Sequence, residues 1–283
     1  MRGELELGCL LPLKKDLTGA SALENHKIYK DNFADFLLCL ALDVGEGMLK
    51  NGGEISRVED TIERICKAYG AEHVEVFTII SFIDAAIRMD DGSYSHQLRR
   101  VKSTGTNLNT LECLNALSRK ICKLTPPLAE FEQQIKALKK TEPYPAYVYI
   151  LGSSLSVCGF ALFFDGHWLD GVVAALIGAV IALIDLYSSK RLNAMAKTVF
   201  SSLVASLMAG ISVKLGIGQN GGIIIIGSIM LLVPGLSFGS AMRDLLYGDL
   251  LAGTLKTIQA CLSALMIAFG YMIATLLVGG GVI

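Results

Sequence analysis

The chain has 283 residues, 52% of them hydrophobic, with a net charge of −1 and a mean hydropathy of +0.52. Only 12 of its 51 charged residues follow residue 140, and lipid-facing segments tolerate few unpaired charges, so the skew marks a membrane-embedded second half. The near-neutral balance excludes a nucleic-acid binder, which needs a basic patch, and seven scattered cysteines without a C-x-x-C pair offer neither a zinc site nor a disulfide framework, only thiols suited to a reducing compartment.

Residues 1–32 read as a loose leader. Glu4 and Glu6 stand where a signal peptide carries positive charge, and the apolar run after them is short and broken by Pro12. Residues 33–49 follow as an amphipathic helix, with Phe33, Phe36, Leu37, Leu40, Val44 and Met48 on one side. Asn51-Gly52-Gly53 breaks the chain, and residues 54–69 form a second helix through Ile55, Val58, Ile62, Ile65 and Tyr69. Its outer side carries Asp60 with Arg64 and Glu63 with Lys67, i,i+4 pairs in the favourable order, and Gly70 is its stop.

Residues 74–80 and 82–89 are rich in β-branched and aromatic types and predict strands. Asp91-Gly92 signals a hairpin turn, and residues 94–101 give a third strand. Leucines and Ile121 at helical spacing mark residues 108–124, Pro126-Pro127 ends that helix, and a charged helix runs to residue 140. Residues 33–140 therefore form a small cytoplasmic α+β domain with one core. His26, His73 and His96 are too dispersed for a metal or catalytic cluster, and neither a metal nor a cofactor is expected. Arg99, Arg100 and Lys102 fit a solvated strand end better than a contact with anionic lipid headgroups.

Residues 141–283 predict a five-span transmembrane domain, with apolar stretches at 146–164, 168–187, 198–216, 220–236 and 250–279. The overall class is membrane α-helical, about five transmembrane helices preceded by the α+β domain. Lys136, Lys139 and Lys140 precede the first span, and Lys190, Arg191 and Lys197 lie between the second and third; both segments are placed in the cytoplasm by the positive-inside rule. The first turn, with Asp165, His167 and Asp170, and the C-terminus then face outside. Trp168 and Tyr147 suit interfacial anchors. Small residues such as Gly152, Gly159, Gly171, Gly178, Ser202 and Gly210 recur in the spans, either for close helix packing or to line a polar conduit.

Two pattern matches are decoys. Gly216 to Gly221 fits G-x-G-x-x-G without a preceding strand, and Gly235-Leu236-Ser237-Phe238-Gly239 fits G-x-S-x-G without a histidine base in the spans. Among ionisable residues, Lys214 and Lys256 fit snorkelling side chains, and Asp185 fits a structural ion pair. Arg243 and Asp244 differ, because they follow a span interrupted at Pro234-Gly235. Proline removes a backbone donor and clashes with the preceding turn, so the helix is expected to unwind and restart, offering its positive end to an anion. Pro234, Gly235, Ser237, Ser240, Arg243 and Asp244 form the candidate substrate-binding set; no catalytic residue is assigned.

Leu231-Leu232-Val233-Pro234-Gly235, followed by Ala241, Asp244 and Gly248, resembles the hallmark of the threonine/serine exporter (ThrE-like) family. Asn51-Gly52-Gly53-Glu54, Val58-Glu59 and Val74-Glu75-Val76 resemble that family's N-terminal domain, and the likeness covers roughly residues 33–279. It does not extend to Arg243. The chain is similar to the larger subunit of the family's split, two-component form. That resemblance implies export of threonine, serine or dicarboxylates such as succinate, driven by the proton gradient. It also implies a small four- or five-span partner subunit, with a homo-oligomer as the other way to complete a pathway. The expected contacts are thus a small-molecule substrate, membrane lipid and that partner, with the protein in the cell membrane. No Walker A sequence is present to suggest ATP. The alternatives are a membrane scaffold or sensor, or a membrane-anchored enzyme using the cytoplasmic domain.

Overall fold

The computed structural model describes residues 33–102, 104–139, 145–188 and 193–279. The expected leader, and the cations Lys140, Lys190 and Arg191, lie outside them. Two compact units divide the chain, Met1–Thr141 with Gly239–Lys256, and Glu142–Phe238 with Thr257–Ile283.

In the first unit, α1 (Phe33–Lys50), α2 (Ile55–Ala68), β1 (Ala71–Ile79), β2 (Phe82–Met89), β3 (Tyr94–Arg100), α3 (Leu108–Leu124) and α4 (Leu128–Lys139) follow in order. The sheet is antiparallel, ordered β1-β2-β3, with Phe77 opposite Asp84 and Ala86 opposite His96. Alternation along β2 buries Ile83, Ala85, Ile87 and Met89 toward the helices. The i,i+4 pairs of α2 form as expected, Arg64 to Asp60 at 2.7 Å and Lys67 to Glu63 at 2.5 Å. Gly70 ends the segment at φ +93°, a conformation that favours glycine.

Helix α1 is amphipathic, with a wider buried face than the expected positions: Leu38, Ala41 and Leu42 are as buried as Leu37 and Val44, while Phe33 is half exposed. Its surroundings explain the width, since α2, α3, α4 and the sheet all pack on it and leave a narrow polar stripe of Asp35, Asp43, Glu46 and Lys50. Gly45 permits the approach of α2, because a Cβ there would meet Ile62 Cδ1 at 2.5 Å. Arg99 also departs from a solvated strand end. Its guanidinium reaches α1, 2.8 Å from Cys39 Sγ and 3.6 Å from Asp43. Cys113 is disulfide-bonded, against the expectation of thiols alone.

The second unit is helical: α5 (Ala146–Phe163), α6 (Trp168–Ser188), α7 (Ala194–Lys214), α8 (Gly221–Met230), the start of α9 (Gly235–Tyr247) and most of α10 (Leu250–Val278). The protein is a multi-pass membrane protein. Helices α5, α6, α7 and α10 are each long and apolar enough to cross a bilayer, and α8 with α9 makes a broken fifth. Apolar side chains that water would not tolerate, among them Leu155, Phe163, Leu176 and Leu277, lie exposed on the surface. Small residues serve close packing at several points. A Cβ on Gly178 would meet Ser153 O at 2.9 Å, one on Gly227 would meet Ala161 N at 2.9 Å, and one on Gly270 would meet Val199 O at 2.5 Å. Ser202 Oγ donates to Ile267 O at 2.7 Å, joining α7 to α10. Gly152 and Gly159 have open space beside them instead.

Candidate functional site

The sequence places a break at Pro234, and one is there. α8 ends after Met230, residues 231–234 do not continue the helix, and α9 begins at Gly235, bent by 55° from α8. Proline cannot supply the amide that would carry the ladder on. Its carbonyl instead accepts from Phe238 N at 2.9 Å and starts the next helix.

At the far end of α9 the chain turns sharply. Gly248 adopts φ +96° and its amide donates to Leu245 O at 3.2 Å, while Asp249 N donates to Asp244 O at 2.9 Å. α10 then starts with Asp249 O accepting from Gly253 N. Gly253 lets the two helices lie close, since a Cβ there would meet Leu245 Cγ at 2.6 Å. This tight reversal carries Lys256 back to Asp244.

The resulting cluster is small and enclosed. Lys256 Nζ donates to Asp244 Oδ2 at 2.6 Å and to Ser240 Oγ at 3.0 Å. The Asp244 side chain is wholly buried and that of Lys256 is 13% exposed. Ala241, one turn before Asp244, is fully buried. Among the described residues Asp244 Oδ1 has no hydrogen-bond partner. A carboxylate oxygen in that state carries an uncompensated desolvation penalty, so the pair is held in place by its surroundings rather than by saturating its own bonds.

The other expected site residues divide. Ser240 and Asp244 meet through Lys256. Arg243 is half exposed and turns away to pair with Glu54, at the N-terminal end of α2. Ser237 and Gly235 are exposed on the first turn of α9, and Pro234 forms the break. Lys256 was read from the sequence as a snorkelling side chain; the structure turns it inward instead. A signal was available, because a lysine more than one turn inside an apolar helix needs a partner, and Asp244 is the acid that the Gly248 turn presents.

Other acidic groups belong to the same unit. Glu54 pairs with Arg243, and Ala252 of α10 belongs to the core formed by α1, α2 and the sheet. Glu59 of α2 accepts from Thr78 N at 2.7 Å. Burial holds its carboxyl above the usual glutamate range, the Asp249 charge acts in the same direction, and the Thr78 hydrogen bond opposes both.

The second unit has its own buried acid. Asp170, 1% exposed, accepts from His167 N at 3.1 Å through Oδ2 and from Gln219 N and Asn220 N at 2.7 and 3.3 Å through Oδ1. It thereby holds the loop that carries the G-x-G-x-x-G pattern, which is the α7–α8 connection. Asp185 pairs with Lys197 and accepts from Tyr149 Oη at 2.8 Å, the structural role expected of it. Lys214 Nζ donates to Val278 O. Among the described residues no group of three or more His, Cys, Asp or Glu is placed to hold a metal ion.

A family model described as "ThrE: Putative threonine/serine exporter" matches residues 39–278. The chain is 23% identical over 232 residues to the "Probable succinate transporter subunit YjjP" of Klebsiella aerogenes, covering 80% of this chain and 88% of that protein. The Escherichia coli protein of the same name is 23% identical over 240 residues, 83% of this chain and 92% of its own length. The "Pheromone-regulated membrane protein 10" of Debaryomyces hansenii is 26% identical over 211 residues, which is 71% of this chain but 20% of the yeast protein. No solved structure matches the chain.

Proposed function

The chain belongs to the threonine/serine exporter family, and from that premise we propose that it is a subunit of a secondary exporter for small carboxylate-bearing metabolites. The substrates are threonine- and serine-like amino acids or dicarboxylates such as succinate; the bacterial relatives carry the name of a succinate transporter subunit. The observation that carries this reading is the buried Asp244–Lys256 pair on a helix that restarts after a break in an apolar span. Ionisable residues buried on apolar helices are expensive, and where they persist they often mark substrate or proton routes. Asp244 is the proton partner, and Ser240, with Pro234, Gly235 and Ser237 at the helix start, belongs to the substrate-binding stretch. Arg243 takes a positioning role through Glu54.

In this reading residues 33–140 face the cytoplasm, residues 141–283 form the membrane domain, and the C-terminus lies outside, as Lys136, Lys139 and Lys197 favour. The proton gradient drives export. A small four- or five-span partner, or further copies of the chain, completes the pathway. The N-terminal domain serves gating or partner docking and does no catalysis.

The test is efflux from cells loaded with labelled threonine, serine and succinate. Cells lacking the chain should retain at least one of them several-fold longer than cells producing it. Equal retention of all three would remove the proposal. In producing cells, Asp244→Ala should slow efflux several-fold.

A further inference from the structure

Resting on that exporter reading, we infer that Lys256 is the residue that takes the carboxylate of the exported metabolite, and that Asp244 occupies its place when no substrate is bound. An ammonium carries three donors; Asp244 Oδ2 at 2.6 Å and Ser240 Oγ at 3.0 Å account for two of them. A substrate carboxylate presents the same pair of oxygens as the Asp244 side chain, so the two are rivals for one cation. With both present and ionised, the enclosed site would hold two carboxylates against one ammonium, which like-charge repulsion opposes.

The rivalry rests on how lightly Asp244 is held. Its Oδ1 is buried and, among the described residues, without a donor, so among those residues its carboxylate is tied by Lys256 alone through Oδ2, and one contact is all that a substrate carboxylate has to replace. The charged groups beside the pair are Asp249 in the α9–α10 turn and Arg243 on α9, the latter engaged by Glu54.

The assignment separates Lys256 from Arg243. Arg243 is the cation that sequence spacing favours, but its guanidinium is engaged by Glu54 and half exposed. Lys256 is the enclosed one, and at a buried site a single ammonium is worth more than in water.

The experiment uses inside-out membrane vesicles from cells producing the full chain, and uptake of labelled succinate and labelled threonine is measured. Lys256→Gln should raise KM for the transported anion at least about tenfold, the scale of one lost charge-assisted contact. Lys256→Arg should recover most of that loss. Asp244→Asn, which removes the rival, should lower KM. Because a lone buried charge can unfold the chain, the Asp244→Asn/Lys256→Gln double variant is measured too, with its melting temperature in detergent. A folded double variant whose KM stays within about twofold of the parent's overturns the assignment while leaving the exporter reading intact. No saturable uptake by the parent chain above vesicles lacking it takes down both.

Discussion

Asp170 and Asp244 are both buried aspartates in a chain of apolar helices, and they are satisfied in opposite ways. Asp170 accepts from three backbone amides, using both of its oxygens. Asp244 has one oxygen on Lys256 and the other on nothing among the described residues. Backbone amides cannot leave, so Asp170 is a fixed fastening for the α7–α8 loop. A lysine can change partners, so the Asp244 pair is able to switch. The lesson is that the kind of partner, more than depth of burial, separates a structural acid from a working one.

The sharpest way to break the comparison is to remove each acid in turn. Asp170→Ala removes the acceptor of three part-buried amide hydrogen bonds, each worth about 1–3 kcal/mol when the amide is left unpaired. It should lower stability by about 3 kcal/mol or more, read as a clear drop in melting temperature of the detergent-purified chain, with Asp170→Asn falling between. An Asp170→Ala chain as stable as its parent would end the distinction. The Asp244→Asn/Lys256→Gln double variant should come within about 1 kcal/mol of the parent, because exchanging a whole buried ion pair for neutral groups is often close to neutral. Transport, not stability, is what that variant loses.

The smallest effect sharpens the reading of another acid in the same unit. The folded-state carboxyl of Glu59 lies above its ordinary value, chiefly through burial and secondarily through Asp249. The folded chain therefore binds that proton more tightly than the unfolded chain does. The stabilising contribution is complete below the unfolded value and is lost as pH rises through the folded one. Glu59→Gln keeps an acceptor for Thr78 N and removes the charge. It should raise the melting temperature slightly near neutral pH and leave it unchanged at about pH 4. An equal shift at both pH values would mean that the carboxylate charge has no part in the effect.

Much of the architecture was legible in the sequence. Apolar runs long enough for a bilayer gave α5, α6 and α10 to within about a residue and α7 to within about four, because length and hydrophobicity are local properties. Pro234 announced its break for the same reason, since the missing amide belongs to one residue. The strands around Asp91-Gly92 and the ion pairs of α2 were equally local. The width of the buried face of α1 was not legible, because which faces of a helix are covered depends on four other elements.

The sequence by itself thus determined where helices begin, end and break, and that a membrane holds the second half. Only the tertiary structure decided which charges meet. Lys256 and Arg243 look alike as cations near Asp244, and only the positive φ of Gly248 and the close approach at Gly253 bring Lys256 inward and leave Arg243 to Glu54. Pairing is a property of three-dimensional distance, and a turn of one residue sets it.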